Sequence, residues 1–238
     1  MKKNLPYAMR MNLPGYDPYD LLDGEAAGIG RFYAGLTDED WVAPTRCEAW
    51  NRKDLLAHLC TVEGYIRAGL DGAVGQFVGQ AGADVGIERL NDVLVERDAH
   101  TPGRELLTRF QELVAEIHPR LRAQDAVGTI DTSVGGYPVR RQTWYLANEL
   151  AIHADDAGVP VEDGERADRR QWRAAFAVEA FSEVRPTAHV AIDDGRYTVT
   201  LPSGQAVTLD EHEFVEAASG RPTPRVQQTL RSELTVLT

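Results

Sequence analysis

The chain lacks the features that would place it in several large classes of protein. It has only two cysteines, Cys47 and Cys60, so a secreted scaffold stapled by disulfides is not expected. Its 25 basic residues are outnumbered by 37 acidic ones, which argues against a nucleic-acid-binding face. No window approaches the roughly 20 apolar residues of a membrane-spanning helix, and no apolar signal segment follows the first two lysines. We therefore expect a cytoplasmic protein without nucleic-acid or membrane partners.

The composition is otherwise typical of a soluble globular protein with an ordinary core. Hydrophobic residues make up 43% of the 238 residues, and the net charge of -12 favours solubility. A chain of this length predicts one main domain with a small appendage. The oligomeric state is left open by the sequence.

Helical periodicity dominates the chain up to about residue 160. Apolar residues recur at spacings of three and four, with helix-starting signals such as Asn51 followed by Asp54. Gly158 and Pro160 should end the last of these helices, and Pro119 should kink or end the one before it. The four long helices predicted in this way span residues 19–36, 52–70, 102–118 and 139–157, and a shorter helix is predicted at 85–96. This pattern predicts an antiparallel four-helix bundle.

The pattern changes after Val161. A charged stretch, EDGERADRR, is interpreted as a linker to a helix at residues 169–184. Three short alternating runs follow, separated by turn signals such as Asp194-Gly195, and then a helix at 211–218. We therefore predict a helical bundle over residues 1–162, beginning with an extended arm at 1–18, and a small α+β domain over 163–238.

Three residues of the bundle have the types and spacing of metal ligands. Glu149 and His153 are four residues apart, so both face the same side of one helix, although a surface pair would have the same spacing. His58 lies inside the apolar stripe of another helix, where a hydrogen-bonded core histidine is the alternative interpretation. Taken together, two imidazoles and a carboxylate from facing helices predict a divalent metal site with an open coordination position.

Two segments resemble the mycothiol-dependent maleylpyruvate isomerase-like family, a branch of the DinB-like four-helix-bundle superfamily. They are WVAPTRCEAWNRKDLLAHL at residues 41–59 and WYLANELAIHADDAG at 144–158. The first follows a Pro-Thr-x-Cys-x-Gly-Trp pattern, with Ala49 in place of glycine, and the second a Glu-x-x-x-His-x-x-Asp pattern. The resemblance implies a DinB-like bundle with a small C-terminal domain, and zinc or another divalent ion held by His58, Glu149 and His153. It also implies Arg221, in the SGRP segment, as a catalytic residue.

The resemblance implies an enzyme that activates a low-molecular-weight thiol, mycothiol, for attack on a small electrophilic substrate. The outcome would be cis–trans isomerisation or S-transfer, and the sequence does not decide between them. Two alternatives stay open: a metal-dependent hydrolase or lyase on the same bundle, and a non-enzymatic metal-containing protein that binds a ligand.

Several other residues of suggestive type are expected to have lesser roles. Cys47 is expected to pack in its loop, and Cys60 to point away from His58. Asp156, three residues after His153, is a candidate to orient that imidazole. The remaining histidines, His118 among them, are expected to be surface or structural.

Overall fold

The computed structural model describes residues 13–80, 82, 87–125 and 128–237, and these group into two compact units. The first comprises Pro18–Pro160, and the second comprises the segment from Val161 onward together with residues 13–17. Most of the arm predicted at residues 1–18 lies outside the described residues. No helix in the described part of the chain is long and apolar enough to cross a membrane.

The first unit is a bundle of four long helices with shorter ones between them. The long helices are α1 (Pro18–Ala34), α3 (Arg52–Leu70), α6 (Gly103–Gln124) and α7 (Val139–Ala157). The short elements are α2 (Asp38–Trp41), α4 (Val74–Gly79), α5 (Ile87–Arg97), β1 (Thr129–Ile130) and β2 (Tyr137–Pro138). Helix α1 packs against α6 and α7, and α3 packs against α6 and α7, which encloses an apolar core.

The core of the bundle comes from the apolar stripes that the sequence predicts. Leu22, Ile29, Leu55, Phe110 and Trp144 are among its fully buried side chains. Burying each large apolar side chain contributes roughly 1.5–3 kcal/mol, so these stripes supply much of the force that holds the helices together.

Helix ends in this unit follow their local sequence. Asn51 caps α3 by accepting from the backbone N–H of Asp54, whose carboxylate accepts from the N–H of Asn51 in return. Gly158 ends α7 with φ of 80°, a left-handed conformation that glycine adopts without steric penalty. These two caps fix where α3 and α7 begin and end, and both helices carry candidate site residues.

The second unit is a small α+β fold. Its elements are α8 (Asp163–Val184), β3 (His189–Asp193), β4 (Arg196–Thr200), β5 (Ala206–Asp210), α9 (Glu211–Ala218) and α10 (Arg231–Leu234). The strands form an antiparallel sheet in the order β3-β4-β5. Its core contains a stack of aromatic rings. The ring centroid of Phe214 lies 4.5 Å from that of Tyr197 and 5.8 Å from that of Phe181. The fold class predicted from the sequence, a mainly α bundle followed by a small α+β part, is confirmed.

The structure differs from the sequence-based expectation at three places. The charged stretch after Val161 is not a linker, because α8 already begins at Asp163. Of the two effects predicted for Pro119, a kink or an end, the end does not occur, since α6 continues to Gln124. The short helix α4 lies in a glycine-rich stretch for which no element is predicted.

Candidate metal site

The three predicted ligands meet inside the first unit. His58 Nε2, on α3, lies 3.2 Å from Glu149 Oε1 and 3.1 Å from His153 Nε2, both on α7. Glu149 Oε1 and His153 Nε2 are 3.3 Å apart, one helical turn from each other. We call these three atoms the ligand triangle.

The ligand triangle has the dimensions of a metal site. Ligand atoms about 2.0–2.2 Å from a tetrahedral zinc ion lie roughly 3.3–3.6 Å from one another, close to the separations in the structure. Two imidazoles and one carboxylate are also a donor set that zinc accepts in catalytic sites. The residues present therefore fit a divalent ion bound by three protein ligands.

Burial differs among the three side chains. Those of His58 and His153 are 3% and 10% exposed, whereas that of Glu149 is 23% exposed. Nδ1 of His58 is buried and has no hydrogen-bond partner among the described residues. The carboxylate is thus the most accessible part of the triangle, and the two imidazoles form its buried side.

The charges of the triangle are strongly coupled. Burial alone would lower the pKa of His153, but Glu149 and Asp156 outweigh it and raise that pKa well above its ordinary value. Burial would raise the pKa of Glu149, but the two imidazoles lower it well below its usual range. For His58, burial dominates and lowers the pKa. Without a metal, this pairing favours the protonated form of His153 and the ionised form of Glu149.

A carboxylate behind the triangle orients His153. The fully buried side chain of Asp156 accepts from Nδ1 of His153 at 3.1 Å, which leaves Nε2 facing the triangle. This is the orienting role for which Asp156 was a candidate. The same oxygen, Oδ2, accepts from Sγ of Cys47 at 3.2 Å.

The loop before α3 makes contacts that the sequence does not predict. The indole of Trp50 packs on the imidazole of His58, with ring centroids 4.8 Å apart and planes inclined by 33°. The sequence predicts only packing for Cys47, yet its thiol contacts Asp156. Trp50 and Cys47 both lie in residues 41–59, one of the two segments that carry the family resemblance. That resemblance was the one feature of the sequence that could have pointed to them.

Two further residues singled out from the sequence are Cys60, in the first unit, and Arg221, in the second. As expected, Cys60 faces away from the triangle, since its thiol contacts the carbonyl of Leu106 on α6. Arg221 is half-buried in the second unit, just after α9, where its backbone N–H donates to the carbonyl of Glu216 at 2.8 Å. Its catalytic role stays a prediction.

Comparison with known proteins decides the family. The sequence model of the family described as "Mycothiol maleylpyruvate isomerase N-terminal domain" matches residues 22–158, more than half of the chain. The chain belongs to this family. The match runs from within α1 to the end of α7, so it contains all three residues of the ligand triangle.

Solved structures agree with the fold of this mycothiol maleylpyruvate isomerase family member. A crystal structure of the mycothiol-dependent maleylpyruvate isomerase is similar, with a TM-score of 0.60 and 18% identity, over 90% of this chain and 92% of that one. A histidine-to-alanine mutant of that enzyme matches with a TM-score of 0.59 over the same shares. The comparison with curated protein sequences finds no match. At this identity the likeness extends to the fold alone.

Proposed function

We propose that this chain is a metal-dependent enzyme that activates mycothiol, or a similar low-molecular-weight thiol, for attack on a small electrophilic substrate. The observation that carries the proposal is the ligand triangle, in which His58, Glu149 and His153 bring three donor atoms within 3.3 Å of one another. Membership in the mycothiol maleylpyruvate isomerase family supports the choice of thiol.

The triangle would hold zinc or another divalent ion. Such an ion, when bound, would lower the pKa of a coordinated thiol, so that much of it is thiolate at neutral pH. Three protein ligands leave a coordination position for the incoming sulfur.

The chain's own residues would prepare this site in two ways. Asp156 holds one proton of His153 on Nδ1, so that Nε2 is the nitrogen left to bind an ion in the triangle. Glu149 stays ionised and supplies a negative charge, while the proton that His153 carries on Nε2 in the metal-free protein would leave as the ion binds.

The attacking sulfur would come from outside the chain. The buried thiol of Cys60 has its pKa raised to about 12 by burial, so it is protonated at neutral pH. The thiol of Cys47 donates to Asp156, on the side of His153 that faces away from the triangle. Neither cysteine therefore supplies a thiolate at the ligand triangle.

The proposed reaction begins when the thiolate adds to one carbon of a carbon–carbon double bond that is conjugated to a carbonyl group, and the π electrons of that bond move onto the carbonyl oxygen. If the former double bond rotates in the adduct and the thiol is expelled again, the net result is cis–trans isomerisation. If instead the neighbouring carbon takes up the proton that the thiol released, the adduct is stable and the result is S-transfer. Arg221 is retained in the proposal as the residue that binds an acidic group of the substrate, on the strength of its SGRP segment.

The test is turnover of maleylpyruvate by zinc-loaded protein, followed by mass spectrometry and chromatography, with and without mycothiol. Isomerisation is expected only with the thiol, and it should remain measurable in a Cys47→Ser, Cys60→Ser double variant supplied with saturating zinc. A thiol adduct in place of the isomer would favour S-transfer.

Turnover that persists without thiol would contradict the proposal. It would favour metal-dependent hydrolysis, because two histidines and a glutamate with an open position also suit that chemistry. If the protein catalyses neither thiol-dependent nor thiol-independent turnover with a panel of thiols and electrophiles, but binds a metabolite tightly, the result would favour a non-enzymatic metal-containing protein that binds a ligand.

A further inference from the structure

The loop between α2 and α3 is held in one shape by its own hydrogen bonds. The hydroxyl of Thr45 donates to the carbonyl of Trp50 at 2.7 Å, and the N–H of Cys47 donates to that hydroxyl at 3.1 Å. The N–H of Trp50 donates to the carbonyl of Cys47 at 2.9 Å. Because these bonds fix both ends of the turn, Cys47 and Trp50 are presented in defined positions.

This loop is also attached to the end of α7. The backbone N–H of Arg46 donates to the backbone carbonyl of Asp156 at 3.1 Å, and Nε of Arg46 lies 3.9 Å from Oδ1 of Asp156. The adjacent thiol of Cys47 donates to Oδ2 at 3.2 Å. Both oxygens of a fully buried carboxylate therefore face this loop.

The position of this carboxylate bears directly on the ligand triangle. Oδ2 of Asp156 accepts from Nδ1 of His153 and from the thiol of Cys47, at 3.1 and 3.2 Å. A rotation of the carboxylate about its last bond would break both contacts. The thiol thus restrains the oxygen that fixes the ring of His153.

We propose that Cys47 is a positioning residue, whose thiol holds Asp156 against His153 so that Nε2 of His153 stays directed at the ligand triangle. This inference rests on the proposed metal site but not on the identity of the thiol or substrate. Removal of a group that orients a metal-binding histidine typically weakens metal binding by about 10–100-fold. Cys47 acts one contact further away, so the expected loss is nearer to about tenfold.

A direct role as a ligand is the main alternative for Cys47. Ligand atoms of Cys47, His153 and Asp156 lie within 4.8 Å of one another and could in principle hold an ion. In the structure, however, Sγ of Cys47 and Nδ1 of His153 both point at the same oxygen at hydrogen-bond distance. Nε2 of His153 faces the tighter ligand triangle. These contacts favour a proton between sulfur and carboxylate over a metal.

The first experiment measures zinc affinity of the full-length apo protein by competition with a chromophoric chelator, with no thiol or substrate present. Cys47→Ala should weaken binding about tenfold. Cys47→Ser should stay within about threefold of the parent, because its hydroxyl can still donate to Asp156. Cys60→Ala is the matched control, since it also deletes a thiol but leaves the triangle untouched, and its affinity should equal that of the parent.

A double-mutant cycle tests whether Cys47 acts through Asp156. Asp156→Ala alone should weaken zinc binding by about 10–100-fold. Adding Cys47→Ala to it should produce no further loss, since the thiol then has no carboxylate to hold. Thermal unfolding of each apo variant shows that it is folded, and ¹⁵N NMR of His153 gives a second readout. In the zinc-loaded protein, its Nδ1–H should exchange with solvent faster after Cys47→Ala than in the parent.

Three outcomes of the zinc-affinity measurements would overturn the inference. They are equal affinity of Cys47→Ala and the parent, an equal loss in Cys47→Ala and Cys47→Ser, and fully additive losses in the cycle. In the cobalt-substituted protein, a thiolate-to-cobalt absorption band that disappears in Cys47→Ser would identify Cys47 as a ligand and would also contradict it. If the parent protein itself binds no metal, both the proposed function and this inference fail. If the parent binds zinc and Cys47→Ala binds equally well, only the inference fails.

Discussion

Two clusters, each built on a buried histidine and its carboxylate partners, lie in the first unit, and they differ in how their atoms are directed. In the ligand triangle, Nε2 of His58, Nε2 of His153 and Oε1 of Glu149 face one another at 3.1–3.3 Å. In the second cluster, His118 lies between two acids, with Nδ1 2.8 Å from Asp23 and Nε2 3.2 Å from Glu63. The three atoms of the ligand triangle thus face a common point, whereas the acids of the second cluster lie on opposite sides of the imidazole.

This difference separates a candidate metal site from a charge pair. The two ring nitrogens of His118 point in opposite directions, so no single ion could bind both acids and the imidazole. Burial would lower the pKa of His118, but Glu63 and Asp23 outweigh it and raise that pKa. His118 is therefore suited to carry a proton between two acids. Direction of lone pairs, more than residue type, distinguishes the two clusters.

The largest effect that should separate the clusters is the response to zinc. At a free zinc concentration 1,000 times the dissociation constant, one site adds about 4 kcal/mol to the free energy of unfolding. We expect this gain in the parent protein and in His118→Ala, and essentially none in His153→Ala. Thermal unfolding with zinc and with a chelator measures it. A zinc response that disappears in His118→Ala but persists in His153→Ala would reverse the assignment.

The second effect concerns stability without metal. Glu63 is fully buried, and Oε2 has no hydrogen-bond partner among the described residues, so its pairing with His118 compensates a charge that water cannot reach. His118→Ala should lower the free energy of unfolding by about 3 kcal/mol, because it leaves that charge unpaired. Urea unfolding in the presence of a chelator measures the change. The exposed His100 provides the control, and His100→Ala should change stability by less than about 0.5 kcal/mol.

A smaller effect is the pH dependence of that same pair. The pKa of His118 is raised in the folded protein, so its contribution to stability is complete below the unfolded value of about 6.5 and declines as pH rises through the folded value. The stability difference between the parent and His118→Gln should therefore shrink as pH increases above about 6.5. Urea unfolding of both metal-free proteins over a pH series measures it. A difference that grows with pH would contradict the charge pair.

Much of the fold follows from the sequence because the long helices have strong apolar periodicity and clear ends. The predicted helix at 52–70 coincides with α3, and Gly158 ends α7 as expected. Helix α8 begins earlier than predicted because EDGERADRR has almost no apolar residue to reveal a helix, although Asp163 and Glu165 suit the first turn. Helix α6 continues through Pro119, although proline has no N–H to donate to the carbonyl of Ala115. Both residues are exposed, so water can reach that carbonyl.

The candidate site could be predicted only in part. Spacing places Glu149 and His153 on one face of a helix, and the apolar stripe directs His58 inward. Their separations depend on how α3 and α7 pack, which periodicity does not specify. The contact between Cys47 and Asp156 joins residues 109 positions apart, and no local pattern indicates it.

The most direct test of the account is the metal content of the purified protein, measured by mass spectrometry of the elements after removal of loosely bound ions. The parent protein should contain about one divalent ion per chain. A His58→Ala, His153→Ala double variant should contain almost none, and His118→Ala should match the parent. Full metal content in the double variant would contradict the assignment of the ligand triangle.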